Sequence, residues 1–85
     1  MFKLSLDSLL VLDTIDRLGT FAAAADALFR VPSTISYTVS KLEQDLNVKI
    51  YARSGPKVSL TKAGRELLNE GRYLLRTAEE IENRV

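Results

Sequence analysis

Apolar residues recur along this chain in two helical patterns that meet across a very short break. Phe21, Ala24, Ala25 and Leu28 fall at i, i+3, i+4 and i+7, and Ile35, Val39, Leu42 and Leu46 fall at i, i+4, i+7 and i+11. Each set lines one face of an amphipathic helix. Only about four residues, 29–32, make the connection between the helices, and two helices joined so tightly fit a helix-turn-helix. The second of the pair then shows water a face of Ser33, Thr34, Ser36, Tyr37, Ser40 and Lys41. These side chains are short or flat, mostly neutral and able to hydrogen-bond, a chemistry that suits the edge of a base pair better than a protein core.

The patterning continues on both sides. Leu6, Leu9, Leu10, Val11, Leu12, Ile15 and Leu18 predict a helix over residues 6–18, with Ser5 or Asp7 near its start and Gly19 just past its end. These side chains wrap most of the circumference, so the helix is expected to be packed on several sides. Thr20 is the expected N-cap of the next helix, over residues 21–29, which Ala22 to Ala25 keep slim. Pro32 suits the first turn of the third helix, where its missing N–H costs nothing, and that helix is expected to run to about Leu46 with Asn47 at its end. In residues 48–60, Ile50, Tyr51, Val58 and Leu60 are strand-like, and Arg53-Ser54-Gly55-Pro56-Lys57 interrupts them with a Gly-Pro turn signal. The expectation is a short two-stranded wing with a basic loop.

Thr61 then caps a last helix over residues 62–85, roughly 36 Å long at about 1.5 Å per residue. Leu67, Gly71, Leu74, Ala78, Ile81 and Val85 alternate four and three residues apart in it. That is a heptad seam suited to pairing with a second copy, the alternative being that it covers its own domain. Leu68 and Leu75 lie beside the seam and are expected to pack back onto the globular part. Glu79, Glu80 and Glu82 crowd the end, where the helix dipole would disfavour them if the helix finished there. The expectation is a fragment whose helix continues into further sequence.

Composition narrows the function classes. Eighty-five residues, 46% apolar and 27% charged, make one small globular domain. A core of this size is marginal alone, and pairing with a second subunit is one way to reinforce it. The chain has no cysteine and no histidine, which removes disulfides, cysteine-based zinc sites, the commonest general base and the commonest metal ligand. No carboxylate, Ser, Lys or Tyr pair is framed by a glycine loop or by metal-ligand spacing, so neither an enzyme nor a cofactor is expected. No uninterrupted apolar run reaches the roughly 20 residues of a spanning helix, and no signal-peptide pattern is present; a cytoplasmic location without membrane contact is the default expectation. Net charge is only +1, but residues 31–64 hold five basic and two acidic side chains while each flanking segment is slightly acidic. Such an excess would attract phosphates locally, although on charge alone it is also ordinary surface variation.

Several motifs together resemble the N-terminal domain of LysR-type transcriptional regulators. They are Gly19-Thr20-Phe21, the Ala24-Ala25 pair, Leu28, Ile35-Ser36, Lys41-Leu42-Glu43, Tyr51-Ala52-Arg53 and Leu60-Thr61-Lys62-Ala63-Gly64, and the resemblance covers essentially the whole chain. It implies a mainly α fold: a winged helix-turn-helix of three helices and a short two-stranded wing in residues 1–61, followed by a long linker helix, 62–85, that dimerises. It also implies DNA binding as a transcription factor, with a small-molecule effector bound only by a further domain absent here. Some positions depart from the family pattern. The usual Ser-Gln-Pro-Ala opening of the recognition helix reads Val31-Pro32-Ser33-Thr34, the Arg that often follows Leu-Ser is Tyr37, and a basic position before the Ala-Ala pair is Ala23. Arg30 stands where the turn is usually apolar, with Val31 expected to fill that space.

The expected mechanism is direct readout by the third helix in the major groove of double-stranded DNA. Ser33, Thr34, Ser36 and Tyr37 would meet base edges, the alternatives being helix capping for the hydroxyls and a packing role for Tyr37. Ser40, Lys41, Arg53, Ser54 and Lys57 would hold phosphate or lie on the wing, Arg53 having a salt bridge to Glu43 or Asp45 as its structural alternative. A homodimer joined through the last helix would bind a pseudo-palindromic operator. The competing class is a winged helix that binds protein, which should show large apolar anchors on the exposed face, where only Tyr37 is available. A pure coiled-coil module would leave the basic wing unexplained.

Overall fold

The computed structural model describes residues 1–54 and 57–85, and for Arg53, Ser54 and Lys57 the backbone alone. Four helices and a two-stranded sheet follow in the order α1 (Leu6–Leu18), α2 (Phe21–Ala27), α3 (Pro32–Leu46), β1 (Tyr51–Ser54), β2 (Lys57–Leu60) and α4 (Lys62–Arg84). The local chemistry of each boundary is visible. Ser5 caps α1 in a reciprocal box, its Oγ accepting from the Ser8 N–H at 3.0 Å while the Ser5 N–H donates to Ser8 Oγ at 3.1 Å. Gly19 closes α1 at φ +88°, a left-handed conformation that costs glycine little. Thr20 and Thr61 cap α2 and α4 through their hydroxyls.

The two helices of the helix-turn-helix end alike. At the end of α2, the Phe29 N–H donates to Asp26 and the Arg30 N–H to Ala25; at the end of α3, Asn47 donates to Gln44 and Val48 to Glu43. Both are Schellman closures. Phe29 and Asn47 take the left-handed position, at φ 57° and 54°. Asparagine is at home there, whereas a bulky side chain is not. The α2 helix therefore stops at Ala27 rather than at residue 29, and Phe29 is left 95% exposed on the turn.

One core joins all the elements. Leu9, Val11, Leu12 and Ile15 of α1 meet Ala24 and Ala25 of α2, Ile35, Val39 and Leu42 of α3, Ile50, Tyr51, and Leu68 of α4. The expected all-round packing of α1 is only partly realised: Leu6, Leu10 and Leu18 keep large exposed surfaces. Tyr51 reaches from β1 to donate its hydroxyl to the Leu12 carbonyl at 2.9 Å, and its ring meets Phe21 edge-on at 5.8 Å between centroids. Burial, with the nearby Asp16 and Asp13 charges, pushes the Tyr51 phenol above its ordinary value.

The strands pair antiparallel, Tyr51 opposite Leu60 and Ser54 opposite Lys57. The Gly-Pro turn expected between them lies outside the described residues. Thr61 ties the strand ends to α4: its N–H donates to the Ile50 carbonyl at 2.9 Å, and its hydroxyl donates to Lys49 O while accepting from the Gly64 N–H at 3.0 Å. The backbones approach so closely here that a Cβ on Gly64 would run into the Ile50 carbonyl oxygen.

Two outcomes follow for stability. Gly64→Ala must push α4 off Ile50 and is expected to cost about 1–3 kcal/mol, lowering Tm in a circular-dichroism melt by roughly 4–8 °C per kcal/mol; an unchanged melt would contradict the contact. Tyr51→Phe is expected to cost about 1 kcal/mol at neutral pH. The folded chain holds the Tyr51 proton more tightly than the unfolded chain does, so that contribution is complete below the ordinary phenol value and lost above it. The gap between wild type and Tyr51→Phe in denaturant unfolding should therefore be flat up to about pH 9 and shrink beyond about pH 10.

Candidate nucleic-acid interface

The candidate interface is the outward side of α3, and the core determines which side that is. Ile35, Val39 and Leu42 are buried, with Leu46 half-buried along the same line. A helix of 3.6 residues per turn must then present Ser33, Tyr37, Ser40 and Gln44 on the opposite side. Ser33, Thr34, Ser40 and Lys41 are exposed, Tyr37 is 66% exposed, and Ser36 is half-buried at the margin of the stripe. The expected readout set thus shares one surface, with Ser36 at its edge rather than its centre. Gln44 belongs to the stripe as well. The amphipathic spacing already places its amide there, beyond the hydroxyls of the first turns.

Pro32 opens α3 at its first turn, and Val31 occupies the N-cap without any side-chain capping bond. Capping is therefore not what Ser33, Thr34 or Ser36 does. Thr38 donates its hydroxyl back to the Thr34 carbonyl at 3.0 Å. The expectation that Val31 fills the apolar space beside Arg30 is not met, since Val31 is exposed. Arg30 turns instead to Asp7 at the start of α1, with two bonds of 2.6 and 3.1 Å. That bidentate pair anchors the turn to α1, and the hydrogen bond to Asp7 raises the guanidinium further above its already high value.

The charged neighbours of the stripe divide into occupied and available groups. Lys41 pairs with Asp45 one turn on, at 3.1 Å. Such an exposed pair is worth about 0–1 kcal/mol and is easily exchanged for another anion. Glu43 is committed inward, accepting from the Ile50 N–H at 2.8 Å and, more weakly, from Tyr51. Asp45 and Glu43 thus have these other partners. Beside α3 runs an open polar trough of about 420 Å³, lined by Ser40, Glu43, Gln44, Asn47, Val48 and Lys49. Lys49 is exposed on its rim, a cation that motif spacing does not single out because its neighbours are strand-like. The side chains of Arg53, Ser54 and Lys57, with the phosphate roles expected of them, lie outside the described residues; the backbone sets Arg53 opposite Val58.

The seam expected on α4 divides in two. Gly71 is buried against Leu9 and Leu67 packs against the core, so both face their own domain. Leu74, Ile81 and Val85 are exposed and Ala78 is half-buried. Leu68 and Leu75 pack back as expected. Among the described residues, no cluster of carboxylates could hold a metal ion, and no helix is long and apolar enough to cross a membrane.

The chain is 53% identical over 78 residues to the probable HTH-type transcriptional regulator YhaJ of Escherichia coli K12, covering 92% of this chain and 26% of that protein. It is 47% identical over 77 residues to the uncharacterized HTH-type regulator YeeY of the same strain, covering 91% and 25%. The chain thus spans about a quarter of the length of these curated relatives. Its fold superposes on the CbnR_DBD–DNA complex with a TM-score of 0.88 at 30% identity, over 95% of this chain and 93% of that one. On oxidized OxyR of Corynebacterium glutamicum the TM-score is 0.90 at 30% identity, over 98% and 27%. The sequence model for the bacterial regulatory helix-turn-helix protein, lysR family, matches residues 6–65. The chain belongs to the lysR family of bacterial regulatory helix-turn-helix proteins, and its fold is their winged helix-turn-helix.

Proposed function

We propose that this chain is the sequence-specific DNA-binding part of a bacterial transcriptional regulator. Residues 1–61 form the reading domain and residues 62–85 the helix that joins two copies. The observation that carries this reading is the outward, hydroxyl-rich side of α3, held on the surface by the burial of Ile35, Val39 and Leu42. Likeness to CbnR_DBD, a domain of the same fold at 30% identity whose crystal structure is a complex with DNA, supports it.

In the proposed mechanism α3 lies in the major groove. Ser33, Thr34 and Tyr37 meet base edges, and Ser36 meets them from the side. The Thr34 methyl can touch a thymine methyl, while the hydroxyls donate or accept according to the base. Ser40 and Lys41 hold phosphate, with Lys41 exchanging Asp45 for it, and Arg53, Ser54 and Lys57 do so from the wing. Lys49 and Gln44 extend the same contact along the trough. The homodimer forms through Leu74, Ala78, Ile81 and Val85, with Leu67 and Gly71 supporting α4 from inside. Effector binding belongs to the remainder of a longer regulator, which acts in the cytoplasm without catalysing a reaction.

A protein-binding role has one observation in its favour: besides Tyr37 on α3, Phe29 and Val31 in the turn before it are exposed apolar side chains. Retention on bulk DNA at low salt with release at high salt separates the two readings, since phosphate contacts are salt-dependent.

Selection from random duplexes should give a different preferred site for Ser36→Ala and for Tyr37→Ala than for wild type; identical sites would sink the readout assignment. Lys41→Ala should weaken binding to all sequences alike and reduce the salt slope by roughly one counterion. Ile81→Asp should shift the chain to monomer in analytical ultracentrifugation, and an unchanged dimer would place the interface elsewhere.

A further inference from the structure

The attachment of α4 to the domain uses more than apolar packing. Arg72 donates from Nε to Asp13 at 2.8 Å and from Nη2 to Asp16 at 2.9 Å. One planar guanidinium therefore grips two carboxylates that lie one turn apart on α1. Asp13 also holds Arg17 at 3.0 Å, and Arg65 approaches Asp16 at 3.8 Å. The two aspartates are only 17% and 25% exposed and Arg72 35%, against 53% and 30% for Lys41 and Asp45 on α3, so water and salt screen the Arg72 pairs somewhat less than that one. On the same stretch of α4, Gly64 rests on the Ile50 carbonyl, Leu68 is fully buried, and Gly71 brings the helix backbone onto Leu9. These contacts fix the helix between residues 64 and 72, and Leu75 adds a further apolar contact with the core about one turn beyond. Its other half carries the exposed Leu74 and Ile81.

This division has a geometric consequence. The stretch from Tyr73 to the end of α4 extends about 18 Å at roughly 1.5 Å per residue. A tilt of about 10° at the clamp would move its far end by roughly 3 Å, close to the ~3.4 Å that separates successive base pairs. In a dimer joined through that half, any play at the clamp changes the distance between the two recognition helices. Apolar contacts with small residues permit sliding, whereas a two-pronged guanidinium with fixed acceptors has one arrangement.

We propose that Arg72, acting through Asp13 and Asp16, is the positioning residue that sets the spacing between the two half-sites this protein recognises. The proposal rests on the dimeric DNA-binding reading above. Its test is a selection with the 85-residue chain from duplexes carrying two half-sites separated by spacers of graded length. Arg72→Lys keeps the charge but has a single Nζ, which cannot hold both carboxylates in the same geometry; Asp16→Asn weakens one prong as a second variant. Wild type is expected to concentrate on one spacer. Arg72→Lys is expected to spread over spacers about one base pair longer and shorter, with affinity for a single half-site and its salt dependence retained. A spacer profile unchanged from wild type in both variants overturns the proposal. An equal loss of binding on every spacer overturns it too, because it marks Arg72 as a structural residue only. A wild-type chain with no spacer preference at all sinks the dimeric reading itself, which is a distinguishable failure.

Discussion

The seating of Ile35, Val39 and Leu42 beneath α3 is the contact on which everything else depends. All three are nearly withdrawn from water, and full burial of such a side chain contributes about 1.5–3 kcal/mol. Rotating α3 by one residue, about 100°, would put Ser36, Ser40 and Glu43 in their place. That would bury a carboxylate and two hydroxyls with no partners provided for them. The burial that stabilises the helix therefore also aims it. No separate device is needed to hold Ser33, Tyr37 and Ser40 toward solvent.

A second constraint is the way charge is spent inside the domain. Asp7 holds Arg30, and Asp13 and Asp16 hold Arg72. The acids of α1 are thereby directed at the turn and at α4, away from the outward side of α3. On that side Glu43 is turned to the backbone of Ile50, and Asp45 sits against a cation, Lys41. An incoming phosphate would meet hydroxyls, an amide and lysines with little carboxylate to repel it. The modest net charge of +1 conceals this arrangement, because the sum says nothing about which charges already have partners.

Much of the fold is legible in the sequence because independent local signals agree. Ser5 and Gly19, Thr20, Pro32 and Asn47, and Thr61 mark helix ends by different chemistries, and helices start or stop at each. The end of α2 is harder to read because its closure uses Phe29 in a left-handed conformation, where a glycine would have announced itself. The exposure of Leu6, Leu10 and Leu18 is illegible for another reason: periodicity shows that a face is apolar, not whether anything covers it. The heptad spacing on α4 has the same limit. Leu67 and Gly71 fit a pairing seam as well as Leu74 does, and only contacts within the fold, such as Leu9 against Gly71, separate them. Arg30 and Asp7 are 23 positions apart, so no local pattern relates them. The outward face of α3 is legible in the amphipathic spacing alone, except that Ser36 sits nearer the margin.

The chemistry of that face bears on how selectivity could arise. A bidentate arginine or glutamine discriminates one base by about 1–3 kcal/mol. The first turns of α3 offer Ser33, Thr34, Ser36 and Tyr37 instead, single hydroxyls that rotate between donating and accepting. Each half-site would then be read with a shallow preference, and steeper selectivity requires two half-sites to be engaged together. Joint engagement multiplies the discrimination only if the two reading helices are held at a definite separation, since a loose linkage accepts many geometries and averages the preference away. The weaker the direct readout, the more the stiffness of the α1–α4 junction matters. On the proposed reading, the Arg72 fork across Asp13 and Asp16 and the hydroxyl face of α3 would be two parts of one recognition device.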